Sequence, residues 1–318
     1  MTVTSPVRTR LTDGRLHAYD LTSSTATGRL TPDAVFDLGG AADRIEGWAV
    51  TRDLRRLVYA TIDDVRCVDR DGRTIWRVDF GPRPAQKLVN AGVSCAFSAD
   101  ERLVWVYRPD GMTLRGDRLD RWLVLDAATG EVRAETGLPS VGHGSEHFVE
   151  PDGVHLLLDV GEGQDGSRAF RGRLTETGID LSELWDGDRS VIGFAPDGRQ
   201  LMTVHHEQED AAFHTWPGGD VAVRVPLGAF GHEWGDALVE WAGGYLDGDT
   251  AVVVIVGEDE ETEQEWHRHH LVDVRTGALR GALDVATRHA YDLEPLGDGS
   301  WLRTDDDGEF RRDRPEAA

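Results

Sequence analysis

A unit of about fifty residues recurs along this 318-residue chain, and a fixed period of that length restricts the fold more than any other feature. Two turn signatures mark it. The first is an Asp-centred turn followed by an apolar strand. It reads TRDLRRLVYA at Asp53, SADERLVWV at Asp100, EPDGVHLLL at Asp152, APDGRQLMTV at Asp197, YLDGDTAVVVIV at Asp247 and LGDGSWLR at Asp298, in steps of 45 to 52 residues. The second ends on a glycine after a strand that often closes with Asp, at Gly28, Gly72, Gly130, Gly178, Gly219 and Gly277. The two series interleave, so each repeat holds two hairpins. Between the anchors lie short strands bounded by Gly, Pro and Asp, without helical periodicity.

Four strands per repeat form one sheet, which cannot cover its own apolar faces. Radial packing of such sheets buries both faces and protects the edges. The expectation is therefore an all-β chain, a single β-propeller domain over 1–318 with repeats over about 15–305 and terminal extensions at 1–14 and 306–318. Six anchors of each type predict six four-stranded blades, the last closed jointly. Residues 15–39 would supply its two outer strands and 289–305 its two inner ones. VRTRLTDGRLHAYD near the start resembles LRTDDDGEFRRDR near the end, which leaves surplus strands and makes seven blades the alternative.

The repeats FSADERLVWV, FAPDGRQLM, VLDAATGEVRAE, VDVRTGALRG and VDRDGRTIWRVDFG resemble those of the bacterial WD-repeat, YVTN and PQQ-like β-propeller families. That resemblance implies architecture rather than activity. Strand-ending Asp20, Asp69, Asp126 and Asp273 lack the preceding Trp of true WD repeats, and no quinone site accompanies the PQQ-like stretch Asp71–Trp76.

Composition narrows the function classes. A 39% hydrophobic content is too high for a disordered chain, and no apolar run approaches the roughly 20 residues of a membrane span. A formal net charge of −24 argues against a nucleic-acid partner and favours a basic one or a metal cation. The N-terminus carries no apolar signal region, and Cys67 and Cys95 sit in strand-like surroundings, so the reading is a cytoplasmic monomer with reduced, buried thiols and no membrane partner.

In a propeller, the loops entering each first strand and those joining second to third strands share one rim, where function concentrates. The entering segments carry Asn90; His143, Ser145, Glu146 and His147; Asp186, Asp188 and Ser190; His232, Glu233 and Asp236; and His289 and Asp292. The second-to-third loops add Asp63, Asp64, Glu162, Asp165, His205, His206, Glu207, Glu209, Asp210 and the Glu258–Glu263 run, which reads as a solvated hairpin tip. Three chemistries fit this set. His143, His232, Glu233 and His289 could converge on calcium, magnesium, manganese or zinc. Alternatively His143, His147, His232 and His289, with Glu146 and Asp236, could act as metal-free general acids and bases. Gly142-His143 and Gly231-His232, however, also resemble the Gly-His dipeptide that orients loops in WD repeats. Third, the rim could be a platform for a small molecule or a basic protein or peptide.

Trp48, Trp105, Trp122, Trp241 and Trp301 read as strand residues filling space between blades, and Trp234, beside His232, as a candidate ligand platform. His267 and His269 alternate onto one strand face, a conceivable metal patch although a surface pair is the simpler reading. P-loop, dinucleotide, HExxH, CxxC and GxSxG motifs are absent from the sequence. The sequence thus points to a binding or scaffold propeller using its channel rim, with no cofactor beyond a possible divalent metal. The alternative is a hydrolase, lyase or cyclase with a His/carboxylate site at the channel mouth.

Overall fold

A computed structural model describes residues 6–22, 27–84, 91–185, 188–259 and 262–315. Asn90 and Asp186, and Glu260 and Glu261 of the acidic run, lie outside the described residues. No described helix is long and apolar enough to cross a membrane.

The chain is an all-β propeller whose described strands form seven antiparallel sheets, so the six-blade expectation is corrected to its seven-blade alternative. Blade 1 pairs Val7–Thr12, Arg15–Asp20 and Ala34–Asp37. Blade 2 is built from Gly47–Val50, Arg56–Ala60, Asp64–Asp69 and Thr74–Asp79, and blade 3 from Ser94–Phe97, Leu103–Arg108, Asp120–Asp126 and Val132–Leu138. Blade 4 comprises Gly144–Val149, Leu156–Gly161, Ser167–Thr175 and Gly178–Glu183. Arg189–Phe194, Gln200–His205, Asp210–Thr215 and Val221–Pro226 make blade 5; Ala237–Tyr245, Thr250–Glu258, Glu265–Asp273 and Leu279–Leu283 make blade 6. Blade 7 takes Leu293–Pro295, Trp301–Thr304 and Phe310–Asp313 from the C-terminal part and its outermost strand, Gly28–Arg29, from the N-terminal part. Closure is therefore joint, as expected, but in a three-plus-one division rather than two-plus-two.

The extra blade follows from local turn chemistry. Asp13 and Gly14 have φ of 51° and 75°, and Thr12 pairs with Arg15 across them. Two central residues at positive φ define the tight hairpin that Asp-Gly favours. VRTRLT and RLHAYD are thereby committed to each other and cannot serve as outer strands elsewhere.

Blades 1–4 belong to one compact unit and blades 5–7 to another. In each, the alternation of a strand's side chains supplies two cores. Leu57 and Tyr59 of blade 2 pack with Leu16, Ala18 and Phe36 of blade 1. Val58 and Ala60, on the opposite face, pack with Val104, Val106 and Leu123 of blade 3. Trp105 and Tyr107 then face Leu158 and Phe170 of blade 4. In the other unit, Ala251, Val253 and Ile255 face blade 5 while Val252 and Val254 face blade 7. Cys67 and Cys95 are free and buried, and burial pushes their thiols up to about 11 and about 12, which keeps them protonated and inert.

The Asp anchors are the first-to-second-strand turns of blades 2–7. Asp53, Asp100, Asp152, Asp197, Asp247 and Asp298 each accept, through Oδ1, a backbone N–H two residues on, at 2.8–3.1 Å. That bond holds the chain in a turn without outside help.

Candidate functional site

The entering loops and second-to-third loops meet, as expected, within each unit. Val141 N–H donates to Glu162 at 3.1 Å, and His206 N–H donates to the Asp188 carbonyl at 2.6 Å. Asp64 and Asp210, anticipated on the rim, instead hold their blades, and Asp120 does the same in blade 3. The third strands of blades 2, 3 and 5 open with Asp64, Asp120 and Asp210, all buried. Asp64 is clamped by Arg66 and Arg77, each at 2.7 Å. Asp120 accepts from Tyr107 Oη at 2.6 Å, Gly142 N–H at 2.7 Å, Gly111 N–H at 2.9 Å and Ser140 Oγ at 3.3 Å. Gly142 thus has a structural role, and only glycine fits there: a Cβ would lie 2.3 Å from Val160 and 2.4 Å from Tyr107 Oη. Asp210 accepts from Arg189 at 2.6 Å, Arg189 Nε donates to Thr203 Oγ1 at 2.6 Å, and Thr203 Oγ1 lies 2.8 Å from His214 Nε2.

His143 is exposed on the loop entering blade 4, and Glu146 is exposed on that blade's first strand. His147 is half-buried and fully engaged. Its Nε2 lies 3.0 Å from Trp122 Nε1, its Nδ1 lies 3.0 Å from Ser94 Oγ, and Ser94 Oγ lies 2.5 Å from Ser145 Oγ. An indole N–H can only donate, so Nε2 is the acceptor and Nδ1 carries the proton. His147 therefore donates to Ser94 and has no lone pair left to take a proton from it. Burial pushes its pKa down to about 3, keeping the ring neutral.

In the other unit, His232 packs against Trp266 with ring centroids 5.1 Å apart, while Glu233, Trp234 and Asp236 are exposed on the same loop. His289 is exposed at the entry to blade 7, and its carbonyl accepts from Asp292 N–H at 3.1 Å. Asp292 is buried, its carboxylate bound by the N–H groups of Arg288 and Thr304. His143 belongs to one unit and His232, Glu233 and His289 to the other. Among the described residues, the His/Cys/Asp/Glu group whose ligand atoms all lie within 4.8 Å of one another is Glu150, Asp152 and His155. Arg171 already engages both of its carboxylates, Glu150 at 2.6 Å and Asp152 at 3.5 Å.

The sequence foresees a further built site only in part: His206, Glu207 and Glu209 read as rim residues, whereas Glu240 and Tyr291 are not singled out and Trp241 reads as filling space between blades. In the first strand of blade 6 the register shifts between Val239 and Gly243, so that Glu240, Trp241 and Ala242 oppose Val254 alone. This bulge turns Trp241 outward to 36% exposure, not into the blade core. Gly243, at φ +112°, permits it, since a Cβ there would lie 2.2 Å from the Val252 carbonyl. His206 stacks on Trp241, centroids 5.8 Å apart and planes 25° off parallel, and Trp241 Nε1 donates to the His205 carbonyl at 3.3 Å. Tyr291, 56% exposed, donates its hydroxyl to Glu240 Oε1 at 2.5 Å, and Trp241 N–H donates to the same oxygen at 2.8 Å. Burial, then the Glu240 bond, push the Tyr291 hydroxyl up, so it remains a donor. Glu240 Oε2 takes no bond among the described residues, and Glu207 and Glu209 are exposed on the adjoining turn. A carboxylate held by the backbone of an exposed tryptophan and the hydroxyl of an exposed tyrosine is chemistry for a cation. The pair of glycines closing VEWAGGY was the available sequence signal for the bulge.

No family model matches the chain, and no curated protein matches it. Solved structures do. The β-propeller domain of Cps50 (Swd1) from Myceliophteria thermophila superposes with a TM-score of 0.58 at 13% identity, over 98% of this chain and 93% of that one. Kuenenia stuttgartiensis hydrazine synthase gives 0.57 at 14% identity over 96% and 90%. The WD40 domain of SCAP from fission yeast gives 0.51 at 10% identity over 97% and 74%. At these identities the likeness is one of fold.

Proposed function

We propose that this propeller is a binding module that captures a basic group, an Arg or Lys side chain of a protein or peptide, on the Glu240–Trp241–Tyr291 platform of blade 6. The observation that carries the reading is the bulge itself, which spends strand register to expose an indole beside a carboxylate oxygen left unengaged. The side chains suit the task. A guanidinium or ammonium can sit over the Trp241 face while its N–H groups reach Glu240 Oε2. His206 and the Glu240–Tyr291 bond hold both partners in place before the ligand arrives, which lowers the ordering cost. The net charge of −24 and the neighbouring Glu207 and Glu209 steer cations toward the face. WD40 interaction modules share the architecture, which makes such a role natural without specifying it.

Calorimetric titration with a short Arg-containing peptide, and with the same peptide carrying neutral citrulline, tests this. The expected result is saturable binding of the Arg peptide that weakens with salt and falls about tenfold or more in Glu240→Gln and in Trp241→Ala. Equal binding of both peptides, or unchanged affinity in both variants, would overturn it.

A further inference from the structure

The third strand of blade 6 carries a second feature that the cation platform does not use. His267 and His269 share the face turned toward Thr287 and Ala290, with ring centroids 5.6 Å apart and planes at 86°. This is no surface pair, because His269 is 3% exposed.

Each ring has one nitrogen anchored and the other available. His267 Nε2 bonds Thr287 Oγ1 at 2.7 Å, which leaves Nδ1. His269 bonds the Ala290 backbone, and its buried Nε2 has no partner. A carbonyl accepts only from an N–H, so His269 carries its proton on Nδ1 and points a bare lone pair from Nε2. A buried acceptor without a donor is costly and calls for a physical reason. Imidazoles anchored through one nitrogen with the other aimed inward are how proteins present histidine to transition metals. Zinc–imidazole bonds are about 2.0–2.1 Å. One ion bound by both rings puts their centres about 5–6 Å apart, depending on the angle at the metal, a range that contains the observed 5.6 Å. The buried Asp292 carboxylate adds negative potential at His269.

We propose that His267 Nδ1 and His269 Nε2 form a two-histidine site for a borderline divalent transition metal, Zn²⁺, Ni²⁺ or Cu²⁺, with open positions completed by water or a ligand. The site is independent of the cation platform. Imidazole softness and the absence of a coordinating carboxylate among the described residues disfavour Mg²⁺ and Ca²⁺.

The test is Cu²⁺ titration of the full chain followed by electron paramagnetic resonance, with Ni²⁺ calorimetry alongside. The expected result is one saturable site whose spectrum shows two equivalent nitrogens, reduced to one in His267→Gln with at least a tenfold loss of affinity. His267 is the more exposed partner, and a wild-type circular dichroism spectrum and melting curve of that variant show that the loss is not unfolding. His155→Gln should leave binding intact. A two-nitrogen signature that survives His267→Gln, binding abolished by His155→Gln, or no saturable binding by either metal would overturn the proposal.

Discussion

Trp122 donates its indole N–H to His147 Nε2 at 3.0 Å, and that one bond decides the tautomer of the most buried of the anticipated catalytic histidines. The Ser94–His147 pair has the spacing of a nucleophile and its base, yet its proton runs from histidine to serine. The arrangement is not a catalytic dyad but a strut joining the first strands of blades 3 and 4 to the third strand of blade 3.

The strut predicts a pH dependence. In the folded chain His147 titrates near 3, whereas unfolded histidine titrates near 6.5. Above pH 6.5 both states are neutral and the residue contributes no slope. Between 6.5 and 3 only the unfolded chain takes the proton, so stability falls as pH drops, by at most about 1.4 kcal/mol per pH unit. Urea midpoints from pH 7 to 4.5 should fall more steeply in wild type than in His147→Gln.

The Arg189–Asp210 pair of blade 5 is buried, and Asp210 also contacts Arg224 at 3.3 Å. Removing Asp210 leaves the buried Arg189 guanidinium without compensation, and removing Arg189 leaves the buried Asp210 with the half-exposed Arg224 as its ion-pair partner. Arg189→Met or Asp210→Leu alone should cost about 3–5 kcal/mol, and the double variant less than the sum. Urea denaturation of the four-member cycle measures it.

Gly142 accepts no side chain, whereas Gly248 has open space around its Cβ position. Gly142→Ala should destabilise by about 2–3 kcal/mol and perturb the Asp120 cluster, while Gly248→Ala should change stability by less than about 0.5 kcal/mol. Thermal or chemical melts of the two variants side by side check the contrast.

Trp241 and Trp122 occupy blade strands with opposite consequences. Trp122 is fully buried and Trp241 stands outside the core. Trp122→Ala should cost about 3–5 kcal/mol and Trp241→Ala about 1 kcal/mol or less. A large loss in Trp241→Ala would place that ring in the core and remove the platform.

The repeat was legible because its turns are self-sufficient. Each Asp of the 53-to-298 series bonds its own backbone, so the signature survives whatever the blade packs against. The seventh blade escaped the count because its turn, Asp13-Gly14, is a two-residue hairpin only 40 residues before Asp53. Its chain also leaves after Asp20 to lend Gly28–Arg29 to blade 7 before returning at Ala34. The site was less legible. Its place inside a strand assigns Trp241 to the space between blades, and the bulge that reverses this is a tertiary fit between Gly243 and the Val252 carbonyl. Asp64 and Asp210 look like rim acids in the sequence because Arg77 and Arg189, which help to hold them, lie on other strands.

The central claim is that a cation lands on Trp241 beside Glu240, and the most direct measurement follows the indole N–H resonances during titration with the Arg peptide. Trp241→Phe identifies the relevant signal by its disappearance. The account predicts a saturable shift of the Trp241 resonance, with those of buried Trp105 and Trp122 unmoved, and loss of the shift in Glu240→Gln. A Trp241 resonance that stays still while the peptide binds would contradict it.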